Sequence, residues 1–336
     1  AVSVIESEVS PQGLYPQLAP EMEAIAKQIF ALPYVEIATH SYSHPFRWNN
    51  AVRHGIFKDA EGETYNLAIP GYTMDLTREI VGSTNYINEH LAPPGKKVKL
   101  MLWTGDTAPS TEALRITYEA GLLNLNGGDT RITRHNPSVT AVAPLGIRKE
   151  GYQQVYAPVT NENLYTNLWT GPFYGFRRVI ETFEMTEAPR RLEPIGIYYH
   201  TYSATKRASL DALHTVYQWA LAQLPHPVFA TDFVRKVLDF DKTVIAREAA
   251  GWRIHTGDSL RTVRLPDRQG PPDLNASTGI AGFREGREGR YVHLTGGDAL
   301  LSVTPSTSPR RPFLSEANGR LDSWKRQNDV LRFTLK

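Results

Sequence analysis

The chain has no cysteine in its 336 residues, which excludes disulfides, thiolate-ligated zinc and a cysteine nucleophile. Its absence leaves the compartment open, since cytosolic and exported proteins alike can lack thiols. No apolar run approaches the ~18 residues needed to cross a bilayer, so no membrane span is expected. Charge of one sign is not in excess either. A formal net charge of +2 gives no global argument for nucleic acid or an anionic membrane surface as partner. No internal repeat or low-complexity tract stands out. The N-terminal stretch AVSVIESEVSPQ has neither the basic n-region nor the cleavage site of a signal peptide. It reads as the interior of a domain, so a signal peptide would lie upstream of it.

What is present is the composition of a globular protein, with 41% apolar and 21% charged residues. The length is enough for a large core and two domains. Charge is unevenly spread: from Val244 onward there are 15 Lys/Arg against 10 Asp/Glu, leaving 22 against 25 for the rest. A mildly basic module therefore follows a slightly acidic body. A solvated basic surface is the plainer reading of that bias, and a polyanion site the sharper one.

The first 240 residues alternate strand and helix signals. AVSVIES reads as a strand, APEMEAIAKQIFAL as an amphipathic helix and YVEIAT as a strand. Residues 46–74 look like a long loop. MDLTREIVGSTNYINEHL is a predicted helix stopped by Pro93, Pro94 and Gly95. KVKLMLWTGD is a strand, STEALRITYEAG a helix with Ser110 as N-cap, and LLNLN a strand. Residues 128–172 are expected to hold short hairpins. FYGFRRVIETFEMTE is a helix, EPIGIYYH a strand, SLDALHTVYQWALAQL a helix, PVFAT a strand and DFVRKVLDF a helix. This order predicts an α/β fold with a parallel sheet, either a barrel or an open sheet, whose site sits at the strand C-termini. Beyond Asp241, short β runs between Gly and Pro predict a small β-sandwich. The expected domains are thus 1–241 and 242–336.

His40, the WTGD and NGGD segments and His200 all fall at predicted strand ends. His40 and His44, four apart in HSYSH, can share one divalent cation from a helical turn or tight loop. The spacing alone is a weak signal, and two unrelated loop histidines are the plainer reading. His200 ends its strand facing the same mouth; it is either a strand-end histidine bonded to backbone or a general acid. Asp106 and Asp129 could bind sugar hydroxyls, orient a histidine or ligate a cation, or simply cap the next turn. Trp103, Tyr42, Trp48, Tyr199 and Tyr202 flank the region, where aromatic faces suit sugar rings or fill the core. His54, His90, His135, His214 and His226 show no pairing.

The motif order resembles the NodB-homology polysaccharide deacetylases (carbohydrate esterase family four and relatives). VEIATHSYSHP is similar to their H-[ST]-x-[ST]-H-P motif after a buried strand, and IYYHTYSATKRASLDALHTVYQWALAQ to their closing motif. The likeness covers about residues 20–240. Over LWTGDTAPSTEALRITYEAGLLNLNGGDTR and the trailing β region the chain further resembles the deacetylases that modify the Pel biofilm exopolysaccharide. The resemblance implies a distorted (β/α) barrel that removes N-acetyl groups from hexosamines, galactosamine among them, in an exopolysaccharide of the periplasm. It implies His40 and His44, with an aspartate, as ligands of a divalent metal, usually Zn²⁺, that acidifies a water and polarises the acetamide. A second aspartate would take the water proton, and His200 would protonate the leaving amine. Trp103, Asp106, Asp129, Tyr199 and Tyr202 would lie on the substrate side. The polysaccharide, and other components of its secretion, would be the partners, with no nucleic acid.

Two motifs depart from the family. Its first, a strand ending in paired aspartates, supplies the third ligand and the base, yet no aspartate precedes Asp59. The expectation is a barrel lacking its first strand, with those aspartates upstream and this chain catalytically incomplete by itself. The third motif is replaced by LWTGD. Two other classes fit the residues: a carbohydrate-binding or scaffold module, and a glycoside hydrolase using Asp106 and Asp129 as its carboxylate pair.

Overall fold

The computed structural model describes residues 1–48, 66–305, 312–327 and 330–335. His54, Asp59 and most of the expected 46–74 loop lie outside them. The chain divides into two compact units, one of residues 1–185 and 193–234, the other of 186–192 and 235–336. Among the described residues, no helix is long and apolar enough to cross a membrane.

The first unit is mixed α/β. Its sheet has four parallel strands in sequential order: β1 (Val2–Val4), β2 (Ile37–Thr39), β3 (Leu100–Leu102) and β4 (Leu123–Leu125). All of β2 is buried, as expected of a parallel strand covered on both faces. Each strand is short, and helices fill the intervals. The helix Ala19–Ala31 joins β1 to β2, and residues 78–91 form a helix of mixed π and α turns before β3. Thr111–Glu119 follows β3, capped by the Ser110 hydroxyl, which accepts from the Ala113 N–H at 3.1 Å. Phe30, Ile37, Ile80, Ile87, Met101, Trp48 and Trp103 build the core on this sheet. A second core gathers Val159, Tyr165, Phe176, Val179 and Phe183 against the helix Arg207–Ala222. Within 128–172 one hairpin forms, β5 (Gly146–Lys149) with β6 (Tyr152–Val155).

AVSVIES forms a strand as expected, β1, and a short helix opening at Glu6 follows it, with no paired aspartates at the strand end. Two other expected strands are absent. Residues 195–200 run extended without a ladder. Gly196 lies against the ring of Pro158, which has no N–H to offer a partner strand. PVFAT is irregular as well, since Pro225 and Pro227 remove two donors just where a ladder would start. The last helix, Ala230–Lys242, forms as expected.

The second unit is antiparallel. Strands β7 (Val244–Glu248), β8 (Gly251–His255) and β12 (Asp298–Leu301) make one sheet in the order β12-β8-β7. Strands β9 (Thr262–Leu265), β10 (Ile280–Gly286) and β11 (Gly289–Leu294) make another, in the order β10-β11-β9. Ile254, Ala299 and Leu301 from the first sheet and Leu265, Phe283, Val292 and Leu294 from the second share one apolar core. A hairpin of β13 (Leu321–Gln327) and β14 (Val330–Leu335) follows.

Candidate functional site

The turn after β2 carries the first two histidines, and its backbone is forced. Ser41 and His44 adopt left-handed conformations, at φ 67° and 51°, which for side-chain-bearing residues costs on the order of 1–3 kcal/mol each and persists only where the surroundings hold it. The surroundings do. The buried Glu79 carboxylate accepts from the backbone N–H groups of Tyr42 and Ser43 at 2.9 and 2.8 Å, and from the Ser43 hydroxyl and Tyr72 phenol. Arg78 packs over the Tyr42 ring at 3.8 Å and is bidentate to Glu6. Glu6, the carboxylate at the end of β1, is thereby spent on bracing the turn.

Four contacts then clamp this turn to the end of β3. His40 Nδ1 donates to the Leu102 carbonyl at 2.9 Å, and the Thr104 hydroxyl to the Pro45 carbonyl at 2.5 Å. Trp48 Nε1 donates to the Thr104 carbonyl at 3.2 Å, and the Asp106 N–H to the Phe46 carbonyl at 2.8 Å. Gly105 explains the glycine of WTGD: at φ +56°, a Cβ there would stand 2.3 Å from Phe46 Cα. With His40 Nδ1 occupied as a donor, its Nε2 lone pair is left for other work. The His40 and His44 rings meet edge to face with centroids 5.1 Å apart. His44 Nδ1 is buried with no hydrogen-bond partner.

His200 approaches from the chain segment at the other side of the first unit. Its charge is close enough to lower the pKa of both His40 and His44. Glu162, almost wholly buried, fixes it twice: Oε1 accepts from the His200 backbone N–H and from its Nδ1, each at 2.9 Å. Because the carboxylate takes the Nδ1 proton, Nε2 is the free nitrogen of His200. The second oxygen of Glu162, Oε2, is buried and without a partner. Tyr202 stacks on the His200 ring at 4.8 Å and donates its hydroxyl to Asn163 at 2.9 Å.

Burial dominates the electrostatics. It lowers His40 to about 3 and His44 to about 4, with His44 and His200 adding to the effect on His40. Both are therefore neutral at pH 7, the form a metal ligand needs. The donor chemistry of these two imidazoles, and the orphaned His44 Nδ1, fit a divalent cation. Among the described residues, however, no group of three or more His, Asp or Glu side chains is arranged to hold one.

The remaining predicted residues part company. Trp103 is fully buried, with Nε1 donating to Asn124 Oδ1 at 3.1 Å and its ring against Trp48 at 5.0 Å. It belongs to the core and not to the substrate side, because a ring at the end of a doubly covered strand faces inward. Tyr199 is displaced too. In an extended segment successive side chains alternate, so Tyr198 shares the His200 side while Tyr199 turns away to Tyr217, at 6.3 Å between centroids. Tyr198, missed in the sequence, accepts from Asn126 Nδ2 at 2.9 Å, and burial raises its phenol to about 12. Asp106 and Asp129 are exposed and line one cleft of about 460 Å³ with Tyr156 and Lys149. Asp106 accepts from the Ala108 N–H at 3.1 Å and Asp129 from the Thr160 hydroxyl at 3.3 Å, the turn-forming role that aspartates commonly play.

No family model, no curated protein and no solved structure matches the chain.

Proposed function

We propose that the chain is the deacetylase-type domain of a metal-dependent polysaccharide N-deacetylase, acting on N-acetylhexosamine residues of an exopolysaccharide in the periplasm. The observation that carries this reading is the paired His40 and His44 rings, half-buried and neutral, with His200, oriented by the buried Glu162 carboxylate, close enough to act on both electrostatically. The resemblance of HSYSHP and of IYYH to the NodB-homology motifs supports it. That resemblance implies a distorted (β/α) barrel, with which a four-stranded parallel sheet is compatible.

On this reading His40 and His44 would hold the cation, with Zn²⁺ the natural partner of imidazole donors. When bound, the ion polarises the acetamide carbonyl as a Lewis acid. In its doubly protonated form, with Nδ1–H held by Glu162, His200 would deliver its Nε2 proton to the departing nitrogen and return to the neutral Nδ1–H tautomer; an amide requires this, since an unprotonated amine is a poor leaving group. Glu162 sets the tautomer and aim of His200 through Nδ1, and Tyr202 and Tyr198 wall the imidazole. The third ligand and the base are the paired aspartates of the family's first motif.

The test is acetate release from N-acetylated hexosamine oligomers by the full-length protein with added Zn²⁺. His40→Ala is expected to abolish it and EDTA to suppress it. Full activity in His40→Ala would sink the metal assignment.

A second reading is a glycan-binding module without catalysis. It predicts oligosaccharide binding that EDTA leaves unchanged and no acetate release.

A further inference from the structure

The basic bias of the C-terminal module has a focus. The second unit holds a cleft of about 570 Å³ whose charged lining is Arg261, Arg284, Arg287, Arg320, His293 and one carboxylate, Glu316. That volume is within the ~300–1,000 Å³ of ordinary ligand sites. Strand register builds one wall. In β11, Val292 and Leu294 face the shared core, so Tyr291 and His293 face the opposite way. Register sets Arg284 of β10 beside Tyr291, and Thr262 of β9 beside His293. Residues 314–321 form the facing side, and His293 Nε2 donates to the Ser315 carbonyl at 2.7 Å.

The cations of this cleft are poorly neutralised. Glu316 pairs with Arg284 at 2.7 Å, on a solvent-exposed edge. Arg261 touches only the exposed Asp258, at 3.3 Å through one terminal nitrogen. Its Nε and Nη1 are buried with no acceptor, a costly state for a charged group. Arg287 and Arg320 have no ion pair among the described residues. Four guanidinium groups around one concavity, opposed by Glu316 in its lining and by the exposed Asp258 beside Arg261, concentrate positive potential where it would repel itself unless an anion enters. A scattered solvated basic surface would not leave guanidinium donors buried and unpaired.

We infer that this cleft is a binding site for an oxyanion-bearing ligand, whose carboxylate or phosphate oxygens are taken by the arginine forks. The inference is independent of the deacetylase reading, since no residue of the histidine site takes part in it.

The experiment is calorimetric titration of the full chain with two probes in turn, oligogalacturonate for the carboxylate source and inorganic phosphate for the other. Saturable binding is expected for at least one, weakened at high salt, and the probe that binds names the source. The exposed double variant Arg287→Ala/Arg320→Ala should fold normally and bind at least ~tenfold more weakly, as for lost charge-assisted contacts. Arg261→Lys, which keeps charge but not the fork, should also weaken binding. Failure of both probes to bind, or unchanged affinity in the double variant, overturns the inference.

Discussion

Among the described residues two histidine–carboxylate pairs have nearly the same length, His200–Glu162 at 2.9 Å and His255–Asp298 at 2.7 Å. Both use Nδ1. Yet the side chains of the first are 27% and 1% exposed, and those of the second 67% and 77%. The exposed pair is a by-product of strand register, since Asp298 and His255 are directly opposed in the β12–β8 ladder. Water competes for it, and ordering two exposed side chains offsets much of the gain. In the buried pair a second bond, from the His200 backbone N–H, pins the same Glu162 oxygen, so the acceptor is held in place for Nδ1. Distance is common to the two pairs; burial and the additional bond separate a surface contact from a positioned group.

Three substitutions sharpen that contrast. Glu162→Gln has the largest expected effect: a buried hydrogen bond to a charged acceptor is lost, costing on the order of 2–3 kcal/mol in denaturant unfolding. Acetate release should fall about a hundredfold as His200 loses its tautomer and aim. Wild-type activity with intact folding would show that the carboxylate does not position the ring. Next is Gly105→Ala, which asks whether the His40–His44 half of the site is as rigid as the His200 half. The added methyl meets the Phe46 backbone, so destabilisation of about 2 kcal/mol is expected; a neutral result would mean that the clamp is soft. Asp298→Asn is expected to be the smallest, leaving the melting temperature within error. A loss as large as that of Glu162→Gln would erase the comparison.

The two pairs also show what the sequence could and could not reveal. His40 was legible because β2 is a short apolar run and the residue after it lies at the sheet's C-terminal edge, and His44 because it stands four residues on; His200 was picked out from an expected strand that does not form. Glu162 was not. It sits in the 3₁₀ turn Glu162–Leu164, inside an irregular stretch with no hydrophobic period to assign its side chain a direction. Tyr198 was within reach, since it stands two residues before His200, and alternation excludes Tyr199 once His200 is taken to face the site. Trp103 misled because aromatic residues at strand ends look alike whether they face a ligand or the core; here both faces of the sheet are covered. The strand expected over 195–200 failed on a partner's chemistry, the missing N–H of Pro158, which no local pattern around 195–200 contains. Glu6 was read as part of a strand and turns out to brace the turn through Arg78, a pairing 72 residues apart in sequence.

The most direct test of the three-histidine site is a ¹⁵N NMR titration of the imidazoles in the metal-free protein between pH 8 and 5. His40 and His44 should remain neutral throughout, since burial lowers them to about 3 and 4. His40 should keep an Nδ1–H, Nε2-lone-pair tautomer signature. With the titration extended below pH 5, replacing His200 by Gln should move both midpoints upward by removing a like charge. Midpoints for His40 and His44 near the ordinary histidine value of about 6.5, unaffected by His200→Gln, would contradict the account.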